Sequence, residues 1–435
     1  MLSLLIRNAE VAQPDGSILQ ADVACCNGLI EKIADQIDSR SEESIDAQGK
    51  LLLPGVIDPQ VHFREPGAEH KEDLFSGSRA AVKGGVTSFL EMPNTRPATT
   101  TQAALDDKLA RAASKSVANY GFFIGATPHN LDEINSVYPV CGIKVFMGAS
   151  TGDLLVERPE DLERIFANGE RLIAVHAEDE TRIRERTRLY STEPSPATHS
   201  KIRDVECARI ATERALGYSL KYKRRLHILH LSTAAEVELL RQNKPPWVTA
   251  EVIPNHLFLT ESDYQQLGTL VQMNPPIRTE ADVASLWQGL HDGVIDFIAT
   301  DHAPHTLEEK NLPYPRSPSG MPGVETSLPL MLTQMAAGHC TLAEIQKWMC
   351  VGAARAYGIA NKGEIREGWD ADLTLVDMNV RRPVRNQDMF TRAGWTPYHG
   401  RELSGWPVVT VVGGRIAFDR GQVRQHIRGQ VLQFS

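Results

Sequence analysis

The sequence predicts an α/β protein: a (β/α)8 TIM-like barrel carrying a small β-sandwich domain formed by both chain termini. Three observations predict it. Eight short apolar runs follow one another from Leu51 to Asp301, amphipathic segments separate them, and strand-and-turn text fills both ends of the chain. Parallel strands covered on both faces read as continuous apolar runs, so a strand-and-helix alternation repeated eight times points to a closed parallel barrel.

The elements follow in order. LLIRNAEVA, the turn PDGS, DVACC, the turn NG and LIEKIA occupy the first fifty residues, with the alternation and turn residues of antiparallel strands. The barrel runs are LLLPGVIDPQVH, VTSFLEMP, NYGFFIGA, CGIKVFMG, LIAVHAE, LHILHLS, WVTAEVIP and DFIATD. Helices are predicted at about 71–84, 102–117, 158–168, 204–221, 234–243 and 280–292, where apolar residues recur at helical spacing. After residue 362 the text returns to strands, GEIREGWDADLTLVD and WPVVTVVGGRIAFDRGQV. Residues 1–52 and 363–435 are therefore expected to pair into one composite β domain beside a barrel at 53–362.

Composition narrows the function. The 435 residues carry 46 basic and 55 acidic side chains, a formal charge of −9, and 42% hydrophobic residues. No basic stripe interleaved with aromatics is present, so nucleic acid is excluded as a partner. Cys25, Cys26, Cys141, Cys207, Cys340 and Cys350 lack CxxC spacing, which reads as reduced, mostly buried thiols rather than a zinc ribbon or a disulfide framework. The N-terminus has no basic region before its apolar stretch, and no long uncharged apolar segment appears. A cytoplasmic protein without membrane contact is expected.

The chemistry gathers at the ends of the runs. His62, Lys144, His176, His230 and Asp301 all lie at or near the carboxyl end of a predicted strand, the end at which barrels of this kind build their active sites. Taken alone, His62 reads better as a hydrogen-bonded core histidine and Arg64, two residues on, as a surface charge. Four other potential ligands at equivalent places favour a single convergent metal site. Lys144 lies in an otherwise apolar strand, and two readings stay open for it. Its neutral amine can add carbon dioxide to form a carbamate able to bridge two metal ions, or its ammonium can pair with a carboxylate. His227, three residues before His230, should face the opposite side and pack against a helix. Glu178 and Asp179 are outer partners of the histidines or solvated loop charges. Asp301 can ligate metal and also accept and return a proton. His302 orders its loop, His305 lies far enough on to approach substrate, and the Pro- and Gly-rich segment 306–323 has the composition of a lid, a binding loop or an ordinary surface connection.

The strings GVIDPQVHFREPG, EMPNTRP, GIKVFMGASTG, VHAED, LHILHLS, MNPPIR, ATDHAPH and SGMPGVE, in this order, resemble the dihydroorotases of the amidohydrolase superfamily over nearly the whole chain. The resemblance implies a binuclear zinc site with carboxylated Lys144 and ligands His62, His176, His230 and Asp301. It also implies a substrate carboxylate held by Arg64, Asn94 and His305, with Asn274 against the pyrimidine ring. One position departs from the family pattern: Gln60 stands where an imidazole is usual. Its amide oxygen is the weaker ligand, which leaves the first metal one imidazole short.

The reaction expected on this basis is the reversible hydrolysis of dihydroorotate to N-carbamoyl-aspartate, with ring closure as the biosynthetic direction and Asp301 shuttling the proton. A hydroxide generated on the metal supplies a nucleophile at neutral pH. A fixed guanidinium at Arg64 suits a substrate bearing a carboxylate. The rivals are a neighbouring cyclic amidohydrolase, such as an allantoinase or dihydropyrimidinase, and a catalytically weak partner of aspartate transcarbamoylase. A homodimer and an association with aspartate transcarbamoylase are the assemblies that the resemblance brings with it.

Overall fold

The computed structural model describes residues 1–149 and 154–435. The end of the GIKVFMGASTG string, residues 150–152, lies outside the described residues. The N-terminal strands are β1 (Leu2–Ala12), β2 (Ile18–Cys26), β3 (Leu29–Ala34), β4 (Ser41–Asp46) and β5 (Leu51–Pro54). Then come β6 (Val56–Val61), β7 (Val86–Glu91), β8 (Asn119–Gly125), β9 (Gly142–Phe146), β10 (Ile173–His176), β11 (Leu226–Ile228), β12 (Val248–Val252) and β13 (Phe297–Ile298). The chain ends with β14 (Leu373–Pro383), β15 (Glu402–Val412), β16 (Arg415–Asp419) and β17 (Gln422–Val423).

Among the described residues β6 to β13 form one parallel sheet, each strand beside the next. The segment after β13 closes it into a barrel. The His62 N–H donates to the His302 carbonyl at 2.8 Å, and buried Asp58 accepts from the Thr300 N–H at 3.1 Å and the Thr300 hydroxyl at 2.5 Å. Strand parity then sorts the side chains. Ile143, Val145, Ile173, Val175, Leu226 and Ile228 face outward into a core shared with Leu105, Leu162, Ala211, Val237 and Leu286 of the surrounding helices. Ile57, Leu90, Phe123, Ala174 and Phe297 face inward and pack on Tyr357, the last residue of the helix Gly352–Tyr357. Burying each such Leu or Ile contributes roughly 1.5–3 kcal/mol.

The predicted helices form at Leu74–Lys83, Gln102–Lys115, Pro159–Ala167, Val205–Tyr222, Ala234–Asn243 and Glu280–His291. Five of them start on a side-chain cap: Asp73, Thr101, Asp204, Thr233 and Thr279 each accept from a backbone N–H of the first turn. These caps fix where each connection from the barrel mouth turns into its helix.

Both chain ends share the second sheet, ordered β17-β16-β15-β14-β5-β1-β2-β3 with β4 also on β1. The β1–β2 and β2–β3 pairs are antiparallel, as the hairpin turns dictate. β4 and β5 both run parallel to β1, and Leu51–Pro54, expected as the start of the first barrel run, belongs to this sheet instead. The two strands divide the free edge of β1, β4 taking Leu2 to Arg7 and β5 taking Glu10 and Val11. No local turn joins either of them to β1, so the hairpin signals carried no information on this pairing. The C-terminal tail runs back to the barrel, where the Leu432 N–H donates to the Tyr120 carbonyl of β8 at 2.9 Å. All six cysteines are unpaired; five are buried and Cys26 is half-buried. Among the described residues no helix is long and apolar enough to cross a membrane.

Candidate active site

At the carboxyl ends of the barrel strands a cavity of ≈ 20 Å³ is lined by His62, Arg64, Asn94, Lys144, His176, His230, Asn274 and Asp301, together with Gln60, Phe146, Ala303, Ser319 and Gly320. The volume suits one water or ion. Eight of the nine residues singled out from the sequence therefore meet at one point. The ninth, His305, lies directly behind Arg64, with its Nε2 3.2 Å from the guanidinium.

One half of the cluster is built on β10 and the segment after β11. His176 Nδ1 lies 3.0 Å from His230 Nε2, and His176 Nε2 lies 2.9 Å from Glu178. The carboxylate accepts from Nε2, which turns the Nδ1 lone pair inward towards His230. Burial would by itself raise Glu178, but the Arg203 guanidinium and the His176 bond overcome it and bring the carboxyl down to about 2. Arg203 pairs with Glu178 and also donates to the Ala149 carbonyl. Glu178 is thus an inner brace, whereas Asp179 caps the helix Glu180–Leu189 and pairs with Arg214 at 2.7 Å.

The other half stands on β6 and the segment after β13. Asp301 Oδ1 lies 3.1 Å from His62 Nε2 and accepts from Gln60 Nε2 at 3.2 Å. His62 Nδ1 donates to Asn94 Oδ1 at 2.8 Å, so its Nε2 is the nitrogen turned to Asp301. Gln60 Oε1 is buried and has no hydrogen-bond partner among the described residues. Burial lowers the basicity of His62, His176 and His230, and the neutral imidazole is the form that binds metal.

Lys144 lies between the halves, 1% exposed, with its Nζ 4.6 Å over the Phe146 ring. Burial pulls its amine down to about 7 against the opposing pull of Asp301 and Glu251. A large neutral fraction at physiological pH follows, as carbamate formation requires. Among the described residues no three His, Cys, Asp or Glu side chains by themselves form a complete ligand set. Two half-sets with a nucleophilic amine between them fit a pair of metals joined by a modified lysine, since a carboxylated lysine would supply the missing anionic oxygens.

Arg64, His230 and Asp301 all adopt left-handed backbone, at φ 63, 39 and 45°. Non-glycine residues avoid this region unless their surroundings enforce it, and such strain concentrates at functional sites. It also corrects the reading of His227. β11 ends at Ile228, and the left-handed turn at His230 resets the parity, so both histidines point into the barrel. His227 stacks on inward-facing Phe297 at 4.8 Å and bonds Glu251 at 3.0 Å and Thr249 at 2.8 Å, rather than packing on an outer helix.

The segment 306–323 is tied down. Lys310 is buried and donates to the Gln272 carbonyl at 3.0 Å and the Pro318 carbonyl at 2.9 Å. Gly320, at φ 137°, lies so close to Ala303 that a Cβ would sit 2.4 Å from its carbonyl oxygen, so only glycine lets the loop reach the cavity. Asn274 reaches the cavity from the neighbouring loop, its Oδ1 accepting from His199 Nε2 at 2.8 Å. Sequence reasoning missed His199, which ends no strand and belongs to no metal-ligand pattern. His302 Nδ1 accepts from the N–H groups of Gly323 and Val324, so it orders the loop, as expected.

The amidohydrolase family model matches residues 51–205 and 173–417. A dihydroorotase of Methanosarcina acetivorans is 36% identical over 454 residues, covering 100% of this chain and 96% of the relative. The chain belongs to the amidohydrolase family, on its dihydroorotase branch. The dihydroorotase of Bacillus subtilis is 32% identical, over 97% of this chain and 100% of its own length. Among solved structures, the L-hydantoinase (dihydropyrimidinase) from Arthrobacter aurescens superposes with a TM-score of 0.94 at 29% identity over 100% of both chains. The dihydropyrimidinase from Brevibacillus agri NCHU1002 gives 0.90 at 25% identity, again over 100% of both. This amidohydrolase thus shares its barrel and terminal sheet with enzymes named for several cyclic amides, and the side chains around the cavity must decide among them.

Proposed function

We propose that this chain is a dihydroorotase, interconverting dihydroorotate and N-carbamoyl-aspartate. The observation that carries the reading is Arg64. Its guanidinium is 6% exposed beside the metal-ligand half-sets, is held by the Pro304 carbonyl at 3.1 Å, and has no carboxylate within ion-pair distance among the described residues. Burial lowers it only to about 10, so it is charged at neutral pH. A buried cation is costly to leave without a partner, and a substrate carboxylate supplies one. Dihydroorotate carries that group, whereas hydantoin and dihydrouracil do not.

His176, His230 and the Lys144 carbamate would hold one zinc ion; His62, Asp301, the carbamate and the Gln60 amide oxygen would hold a second. Zinc at these positions supplies carbonyl polarisation and acidification of the attacking water. Asp301 takes the proton that the water loses as the ring C–N bond breaks and delivers it to the departing ring nitrogen, so ring closure reverses the same transfer. Gln60 and His62, both on Asp301 Oδ1, aim that carboxylate. Arg64 and Asn94 orient the substrate by its carboxylate, His305 acts from behind Arg64, with its Nε2 3.2 Å from the guanidinium, and Asn274 meets the ring.

The test is Arg64→Met, assayed with dihydroorotate and with hydantoin. Loss of dihydroorotate turnover by about a hundredfold or more supports the reading, since a charged hydrogen bond and its desolvated partner are both removed. Unchanged dihydroorotate turnover, or hydantoin as the better substrate of the unaltered protein, contradicts it and favours a hydantoinase.

A further inference from the structure

His305 Nε2 has two neighbours that make opposite demands. The Ser319 carbonyl, 3.0 Å away, requires a hydrogen on that nitrogen; the Arg64 guanidinium, 3.2 Å away, could donate to it only if the hydrogen were absent. Which demand is met depends on the far side of the ring. There Lys71 Nζ lies 3.0 Å from His305 Nδ1. An ammonium donates and cannot accept, so Nδ1 must be the bare nitrogen and Nε2 the protonated one.

We propose that Lys71 is a positioning residue: it locks His305 in the Nε2–H tautomer and thereby keeps the Arg64 guanidinium free for the carboxylate of the substrate. In the other tautomer Nε2 would accept from Arg64, and one arm of the guanidinium fork would be spent inside the protein. Lys71 is itself fixed by Glu309, whose Oε1 lies 3.0 Å from Nζ and whose Oε2 accepts from the Thr306 N–H at 3.1 Å. The chain Glu309, Lys71, His305, Arg64 thus runs from the short helix Leu307–Lys310 into the cavity. The inference rests on the reading of Arg64 as the carboxylate anchor.

Long-range 1H–15N spectra of the histidine-labelled protein, with His305 assigned by His305→Asn, test the lock without reference to activity. The unaltered protein should show a bare Nδ1 and a protonated Nε2 at His305. Lys71→Met should populate the reversed tautomer and raise KM for dihydroorotate about tenfold with kcat within about twofold, the worth of one ordered donor to a charged group. Lys71→Arg, still a donor, should restore both. A protonated Nδ1 in the unaltered protein overturns the lock even if Lys71→Met does not fold. A shifted tautomer with unchanged KM overturns its link to Arg64. Absence of dihydroorotate turnover in the unaltered protein would instead overturn the assigned function, and the spectra would still judge the lock.

Discussion

On one side of Lys144, His176 and His230 face each other across 3.0 Å and are braced from behind by a buried chain from Glu178 to Arg203 to the Ala149 carbonyl. On the other side, His62 and Gln60 lean on the same oxygen of Asp301, and the Gln60 carbonyl oxygen has no partner among the described residues. The first half is a rigid pair of neutral nitrogens, held as a structural ligand set is held. In the second half the carboxylate is shared among weaker partners, which suits a group that must carry a proton as well as bind. On the function proposed above, affinity and proton transfer fall to opposite halves of one cluster.

The comparison breaks most sharply at Asp301. Asp301→Asn should reduce dihydroorotate turnover by about 10²–10⁴-fold, the range for a positioned general base, while metal analysis still finds the ion on the His176 side. Equal loss of metal from both halves would merge the two roles. Lys144→Met should lower metal content in both halves, because the amine between them is the group the two share; retention of full metal content would remove the carbamate from the account. Glu178→Gln should weaken metal binding by about 10–100-fold. It should also destabilise the fold by about 3 kcal/mol, since it strands the buried Arg203 guanidinium, read as an earlier denaturation midpoint. Gln60→His should have the smallest effect and the opposite sign. The added imidazole raises zinc stoichiometry towards two per chain and changes turnover by only a few fold, given the bidding of nitrogen against amide oxygen for zinc.

Much of this was legible in the sequence, for identifiable reasons. Parallel strands buried on both faces must be apolar throughout, so the barrel runs stood out, and a lysine or histidine at the end of such a run was conspicuous. Lys144, His176 and Asp301 were found in this way. What escaped depended on parity and on distant partners. His227 and His230 both enter the barrel because a left-handed residue breaks the alternation, and no local rule foretells that. Glu178 reads like any loop carboxylate until Arg203, 25 residues on, closes over it. Lys71 gives no signal either, because its partner His305 lies 234 residues away. The parallel pairing of β4 and β5 with β1 escaped for the same reason.

The most direct test of the central claim is to measure bound zinc and dihydroorotate hydrolysis on one purified preparation, before and after chelation and zinc return. Zinc bound as isolated, turnover lost on chelation and both recovered together on zinc return is the predicted result. Undiminished turnover in protein stripped of metal, or zinc-loaded protein that leaves dihydroorotate untouched, would contradict it.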